Sequence, residues 1–280
     1  MKKVLYLIIP LFFTLSSFSQ AVSPEWCDTQ IPSSFKKWRN NFATTHNLVS
    51  TLKHDVCVNK KFSVVFYVIA EQNGTWGNVG PADLDSCIAR LNRLFGRICI
   101  TFMNCSTVVI PNHVFNNWER PDTEDLVTGN WYTENTINVY LPDSINGSIA
   151  GYAKMPGGDD VIVIEKSLVA TLSMAHEIGH FFGLVHTHAE IGSPVTPAPP
   201  PGVSSYEFVN RSNCSQNGDG LCDTEADSYP LGTGTQDGNN EYYVIPKDNI
   251  MSYHPSPCRF TQQQYNFMAN VILTQRLYLH

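Results

Sequence analysis

Residues 175–186 read AHEIGHFFGLVH, and the fold turns on how they are read. They contain His176, Glu177, His180, Gly183 and His186. On a helix, His176 and His180 stand one turn apart on the same face. Two neutral imidazoles so placed can bind one Zn²⁺. Glu177 is rotated off the ligand line, beside the open side of the ion, where it can take a proton from a bound water. A helix that simply continues cannot supply a third ligand. Gly183 accepts the left-handed conformation that ends a helix and turns the chain, which brings His186 back to the same ion. Three protein ligands leave a fourth position open, the mark of a catalytic rather than a structural zinc. By chance the whole pattern arises in roughly two per hundred thousand sequences of this composition. A core helix with incidental histidines does not explain the glutamate and the glycine.

Leading into this stretch, residues 160–164 (DVIVI) read as a strand, and Ser167 reads as the cap of the helix that carries the histidines. Further upstream, residues 61–70 (KFSVVFYVIA) are β-branched and aromatic throughout, the pattern of a central strand buried on both faces. Residues 81–95 place Leu84, Ile88, Leu91 and Phe95 at helical spacing, and residues 97–103 read as a second strand. Strand, helix and strand in this order make a right-handed crossover onto a parallel sheet. Residues 136–141 (TINVYL) are a third strand, and residues 148–154 (SIAGYAK) a short one of small residues. Residues 106–135 give no clear pattern. Downstream, residues 193–202 hold five prolines and read as a loop. Residues 207–241 carry seven acidic residues and only Arg211 as a base, so this irregular segment needs tethering by disulfide or metal. Residues 261–274 read as a closing helix with Phe267, Met268, Val271 and Ile272 inside.

Lys2 and Lys3, then an apolar run over residues 4–15, then small polar residues, form a secretory signal over residues 1–20. The run is too short for a membrane anchor. Residues 21–60 read as an N-terminal extension or short pro-segment, and residues 61–280 as the catalytic domain. Without Lys2 and Lys3, 16 basic residues face 25 acidic ones, a net charge near −9 by that subtraction. Nothing here suits nucleic acid or an anionic membrane. Eight cysteines in an exported chain point to disulfides, and no CxxC pair suggests a zinc ribbon.

The zinc motif, with residues 249–253 (NIMSY) downstream, resembles the metzincin peptidases. Residues 218–227 (GDGLCDTEAD), NIMSY followed by Cys258, Phe260 and Thr261, and the Gly151-Tyr152-Ala153 stretch most resemble the pappalysin family in its secreted bacterial form. The resemblance spans about residues 61–270. It implies an α+β metzincin fold with an upper lobe over residues 61–186. That lobe would hold a mixed, twisted five-stranded sheet, a backing helix and the active-site helix. An irregular lower lobe over residues 187–280 would carry the Met-turn and a C-terminal helix. The resemblance further implies a protein or peptide substrate pairing antiparallel to the edge strand at 148–154, with Zn²⁺ held by His176, His180 and His186. Glu177 would be the general base, Met251 an apolar floor, and Tyr253 a hydrogen-bond donor to the oxyanion. His188 and His254 are read as rim residues.

Three further expectations come with the resemblance. Cys222 would pair with Cys258. The acidic residues Asp219, Asp223, Glu225 and Asp227 could bind Ca²⁺, although they lack the EF-hand pattern. Cys27 could hold the open zinc position as a latch, but cysteine parity favours a Cys27–Cys57 disulfide instead. The function expected is a secreted zinc endopeptidase. A secreted binding or adhesive protein that kept the metal for stability has no use for Glu177, and a non-peptide zinc hydrolase has none for the Met-turn.

Overall fold

In β1 (Lys60–Ile69), Phe62, Val64, Phe66 and Val68 face one core and Val65, Tyr67 and Ile69 another, which is why the run from Val64 on is apolar throughout. The structure is a computed structural model. It describes residues 27–46, 56–147, 149–189, 191, 197, 198, 200, 201, 206–229, 234–254 and 256–280. The expected signal over residues 1–20 and much of the proline segment lie outside the described residues.

α1 (Ser33–His46) precedes β1. α2 (Pro81–Phe95) follows it, with Pro81 at its start and Gly80 N donating to Asp83 Oδ2 at 2.8 Å. β2 (Ile100–Ile110) then runs parallel to β1, as the crossover requires. It starts later than the expected 97–103 strand. Residues Gly96–Ile98 form a 3₁₀ turn, and Cys99 closes it in the left-handed region at φ 56°.

β3 (Asn117–Trp118), α3 (Asp122–Thr128), β4 (Ile137–Leu141), β5 (Ser144–Ile145), β6 (Gly151–Ala153) and β7 (Val161–Ile164) follow. The sheet order is β2-β1-β4-β7-β6, with only β6 antiparallel, and β3 pairs with β5 in a small second sheet. The fold is therefore α+β with a mixed five-stranded sheet, and β6 is an edge strand.

One face of the sheet packs Phe62, Val64 and Phe66 against Leu84, Leu91 and Phe95 of α2. Ile178 and Phe181 of α4 (Leu172–Phe181), and Phe267 and Val271 of α5 (Gln262–Gln275), join the same core. On the other face Val65 and Tyr67 meet Trp118, Tyr140 and Tyr152. The stretch over 106–135 thus acts as a cover for the second face. Trp118 Nε1 donates to the Tyr152 hydroxyl at 2.8 Å.

Ser167 does not cap α4. It lies in a 3₁₀ turn, Lys166–Leu168, pinned because buried Lys166 reaches Glu71 at 2.7 Å and Asp143 at 2.9 Å. Thr171 is the cap, accepting from Ser173 N at 3.2 Å. The closing helix is found over Gln262–Gln275, with Thr261 and Gln264 forming a capping box.

The cysteines pair otherwise than expected. Cys57 joins Cys99, because Cys57 leads into β1 and Cys99 into β2 and the register sets Lys60 beside Ile100. Cys27 therefore has no disulfide partner, and its thiol is buried. Cys222 joins Cys214, not Cys258. Turns in which Asn217 N donates to Asn213 O, and Cys214 N to Arg211 O, fold the chain back so that the two meet across a separation of 8 residues. A short loop costs little closure entropy. Cys258 is an exposed free thiol. The irregular segment is tethered by this bridge and by Asp237, which accepts from Asn239 N and Glu241 N at 2.8 and 2.9 Å.

α1 is built into the core. Phe35 and Phe42 are buried, and Trp38 stacks on both rings with centroids 5.4 and 5.2 Å apart. Gly183 has φ +91°, and a Cβ there would lie 2.9 Å from Phe35 Cζ and 3.0 Å from Val271 Cγ2. Gly183→Ala is accordingly expected to destabilise the chain by about 2–4 kcal/mol, from strain and overpacking together. A denaturant midpoint unchanged from wild type would contradict this account of the turn.

Candidate metal centre

Helical spacing within α4 and the turn at Gly183 bring three imidazoles to one point. His180 Nε2 lies 3.1 Å from His176 Nε2 and 3.0 Å from His186 Nε2. Tetrahedral nitrogen ligands on Zn²⁺ sit about 3.3 Å apart, so a modest relaxation admits the ion. Two of the rings are oriented from behind. His176 Nδ1 donates to Ile250 O at 2.7 Å, and His180 Nδ1 to Leu184 O at 2.8 Å. Such contacts fix the tautomer that leaves Nε2 free for metal. Burial lowers all three pKa values, that of His176 to about 4, which keeps the rings in the neutral, ligating form.

A fourth potential donor, Cys27, joins them. Its Sγ and the three ring nitrogens all lie within 4.8 Å of one another. Three nitrogens and a sulfur make a complete zinc donor set. The thiol also donates to Glu177 Oε2 at 3.5 Å, and Thr29 Oγ1 donates to the same oxygen at 3.4 Å. Burial pushes Glu177 up to about 8, and burial with the nearby Glu177 pushes the Cys27 thiol up as well. A divalent cation at the imidazoles would draw both down.

Met251 is fully buried beneath α4, and a Cβ on Gly179 would lie 2.5 Å from its Sδ. Its backbone is held on both sides: Met251 N donates to Asn249 Oδ1 at 2.8 Å, and Met251 O accepts from Thr187 N at 3.1 Å. Tyr253 lies with its ring 4.5 Å from His186 and its hydroxyl donating to Cys27 O at 2.6 Å. His188 stacks on His186 with centroids 4.8 Å apart and is not one of the converging donors. His254 pairs with Asp227 at 2.8 Å.

Among the described residues no three of the acidic side chains considered for Ca²⁺ converge as the histidine–cysteine group does, though Asp219 Oδ2, Asp223 Oδ1 and Glu225 Oε2 are buried without a partner. Asp227 is taken by His254 and Thr187, Asp223 accepts from Gln263 N, and Asp219 Oδ1 accepts from Leu221 N. Glu225 faces Arg211 at 3.8 Å. Among the described residues the histidine–cysteine group is where metal ligands converge.

The sequence reading missed Thr29, and it favoured a Cys27–Cys57 disulfide over the place of Cys27 at the imidazoles. Residues 27–29 lie along β6: Cys27 bridges Gly151 in parallel, Asp28 N donates to Gly151 O at 3.3 Å, and Ala153 N donates to Thr29 Oγ1 at 2.9 Å. Gly151 also lets Glu177 approach the strand, since a Cβ there would sit 3.2 Å from Glu177 Oε1. No signal local to residues 27–29 names these partners. Among the described residues no helix is long and apolar enough to cross a membrane.

No family model matches the chain, and no curated protein matches it. Among solved structures it is similar to metalloproteinase-II from Bacteroides fragilis, at 13% identity and TM-score 0.35 over 56% of this chain and 61% of that one. The chain thus spans about three fifths of that protein's length. It is similar also to archaemetzincin from Methanopyrus kandleri, at 15% identity and TM-score 0.31 over 45% of this chain and 76% of that one. A chaperone–substrate complex matches at 13% identity and TM-score 0.35, over 81% of this chain and 35% of that one. Likenesses this loose carry no argument, so function is read from the residues themselves.

Proposed function

We propose that this chain is an exported zinc-dependent endopeptidase of metzincin type, most like the pappalysins, and that its own N-terminal segment keeps it latent. The observation that carries the reading is the convergence of three Nε2 atoms and Cys27 Sγ beside Glu177, under an edge strand. His176, His180 and His186 would hold the ion. When bound, Zn²⁺ supplies a Lewis acid that polarises a peptide carbonyl and acidifies water. Glu177 takes the proton from the attacking water and returns it to the leaving amine. Tyr253, whose hydroxyl now donates to the Cys27 carbonyl, is placed to donate to the oxygen of a scissile carbonyl. Gly151–Ala153 offers backbone groups to an extended peptide, as it now does to residues 27–29. Met251 forms the floor and NIMSY the Met-turn. The signal sequence and the Cys57–Cys99 and Cys214–Cys222 bridges support export.

Metal content tests the reading together with hydrolysis. The full chain is expected to bind one zinc, and His186→Ala to weaken that binding by two or more orders of magnitude. With Cys27→Ala, the zinc-loaded chain is expected to cleave a proteome-derived peptide library, and a chelator to stop it. A non-catalytic, adhesive protein would bind zinc and cleave nothing.

A further inference from the structure

We propose that Arg120 selects an acidic residue of the substrate on the N-terminal side of the scissile bond, and that Asp28 occupies this subsite in the latched chain. This rests on the peptidase reading and names a substrate class for it. Residues 27–29 lie on the free edge of β6, where an added peptide strand would lie. Arg120 Nη1 donates to the Asp28 carboxylate at 2.6 Å and to the Asp28 carbonyl at 3.2 Å.

Asp28 does not itself position Arg120. The guanidinium lies 3.9 Å over the ring of Tyr152, and its Nε is 3.7 Å from Glu124. Tyr152 and Glu124 are buried in the domain and stay when residues 27–29 leave. A planar cation so stacked is preorganised for a carboxylate. Glu124 does not cancel it. That carboxylate also accepts from the Tyr152 hydroxyl and pairs with Lys154 at 2.5 Å. Arg120 and Lys154 against Glu124 leave one uncompensated positive charge, which Asp28 now neutralises. The cleft continues along Arg120, Ala153, Lys154 and Met155, so the positive wall extends beyond Asp28.

Direction follows from the strand. The segment runs parallel to β6, with Cys27 at the metal ligands and Thr29 beside Ala153. A substrate running antiparallel enters from the Ala153 end. The residues that precede its scissile bond then lie where Asp28 and Thr29 lie now.

The test uses the full-length, zinc-loaded chain carrying Cys27→Ala and Asp28→Ala, so that neither the thiol nor the internal carboxylate competes. Cleavage sites in a peptide library are read by mass spectrometry. Asp or Glu is expected one or two residues before the cleaved bond, and changing it to Asn or Gln in one peptide should lower kcat/KM about three- to tenfold, the scale of one half-exposed ion pair. Arg120→Ala should abolish the preference, and Arg120→Glu should turn it toward Lys and Arg. Arg120→Lys, with zinc content and melting temperature measured, guards against misfolding, and the Asp-to-Asn peptide comparison needs no change at Arg120. Cleavage without acidic preference, or a preference that Arg120→Ala leaves intact, overturns the assignment while the peptidase reading stands. No cleavage of any peptide overturns the peptidase reading and the assignment with it.

Discussion

Glu177→Gln, made in the Cys27→Ala chain, is expected to fold and bind zinc as before and to lose peptide hydrolysis by at least 10²–10⁴-fold, roughly the contribution of a positioned general base. The amide keeps the shape and the hydrogen-bonding reach of the carboxylate but cannot accept the proton of water. Glu177 is buried beside the three imidazoles and makes no ion pair among the described residues, so the substitution removes a carboxylate without breaking a salt bridge there. If anything, replacing a buried carboxyl by a neutral amide should leave the melting temperature unchanged or raise it. Single-turnover rates with and without added zinc check the outcome. Hydrolysis within a few-fold of the Cys27→Ala parent would mean that Glu177 is not the base.

Cys27→Ala in the otherwise intact chain is expected to raise peptidase activity about a hundredfold, the change that follows when a latch closed in ~99% of molecules is removed. Cys27 is the one thiol among the described residues that lies with the three imidazoles. In the zinc-loaded wild type, alkylation should mark exposed Cys105 and Cys258 quickly and spare Cys27. Equal activity in variant and wild type, or rapid labelling of Cys27, would refute latency. Trimming everything before Lys61, a natural expectation for a removable pro-segment, is not the way to activate this chain. It would strip α1 and expose the surface that Phe35 and Phe42 cover, at about 1.5–3 kcal/mol for each ring. It would also remove Cys57 and with it the bridge to Cys99. Opening at residues 27–29, with α1 left in place, is the route the packing allows.

Some of this was legible in the residues. The spacing of His176, His180, Gly183 and His186 encodes a site because a helix repeats every 3.6 residues and a glycine ends it. The unbroken apolar run of β1 and the helical period of α2 marked a strand buried on both faces and a backing helix, and both are found within a residue of where they were read. The parallel pairing of β1 with β2 followed from the crossover rule. Boundaries set by local packing were less legible. The α4 cap moved from Ser167 to Thr171 because a buried lysine, salt-bridged from two other loops, held the preceding turn apart.

What the sequence determined by itself is therefore what rests on near neighbours: the convergence of three imidazoles with a carboxylate beside them, and the strand and helix periods around them. Tertiary structure alone decided the cysteine partners, the burial of α1, and the bridge by which residues 27–29 lie along β6. Cys57 meets Cys99 across 42 residues, and Cys27 meets Glu177 across 150. Parity could count those thiols but not place them. Which two groups meet at such separations is fixed by sheet register and by the close packing of side chains from distant segments, and neither leaves a periodic trace in the chain.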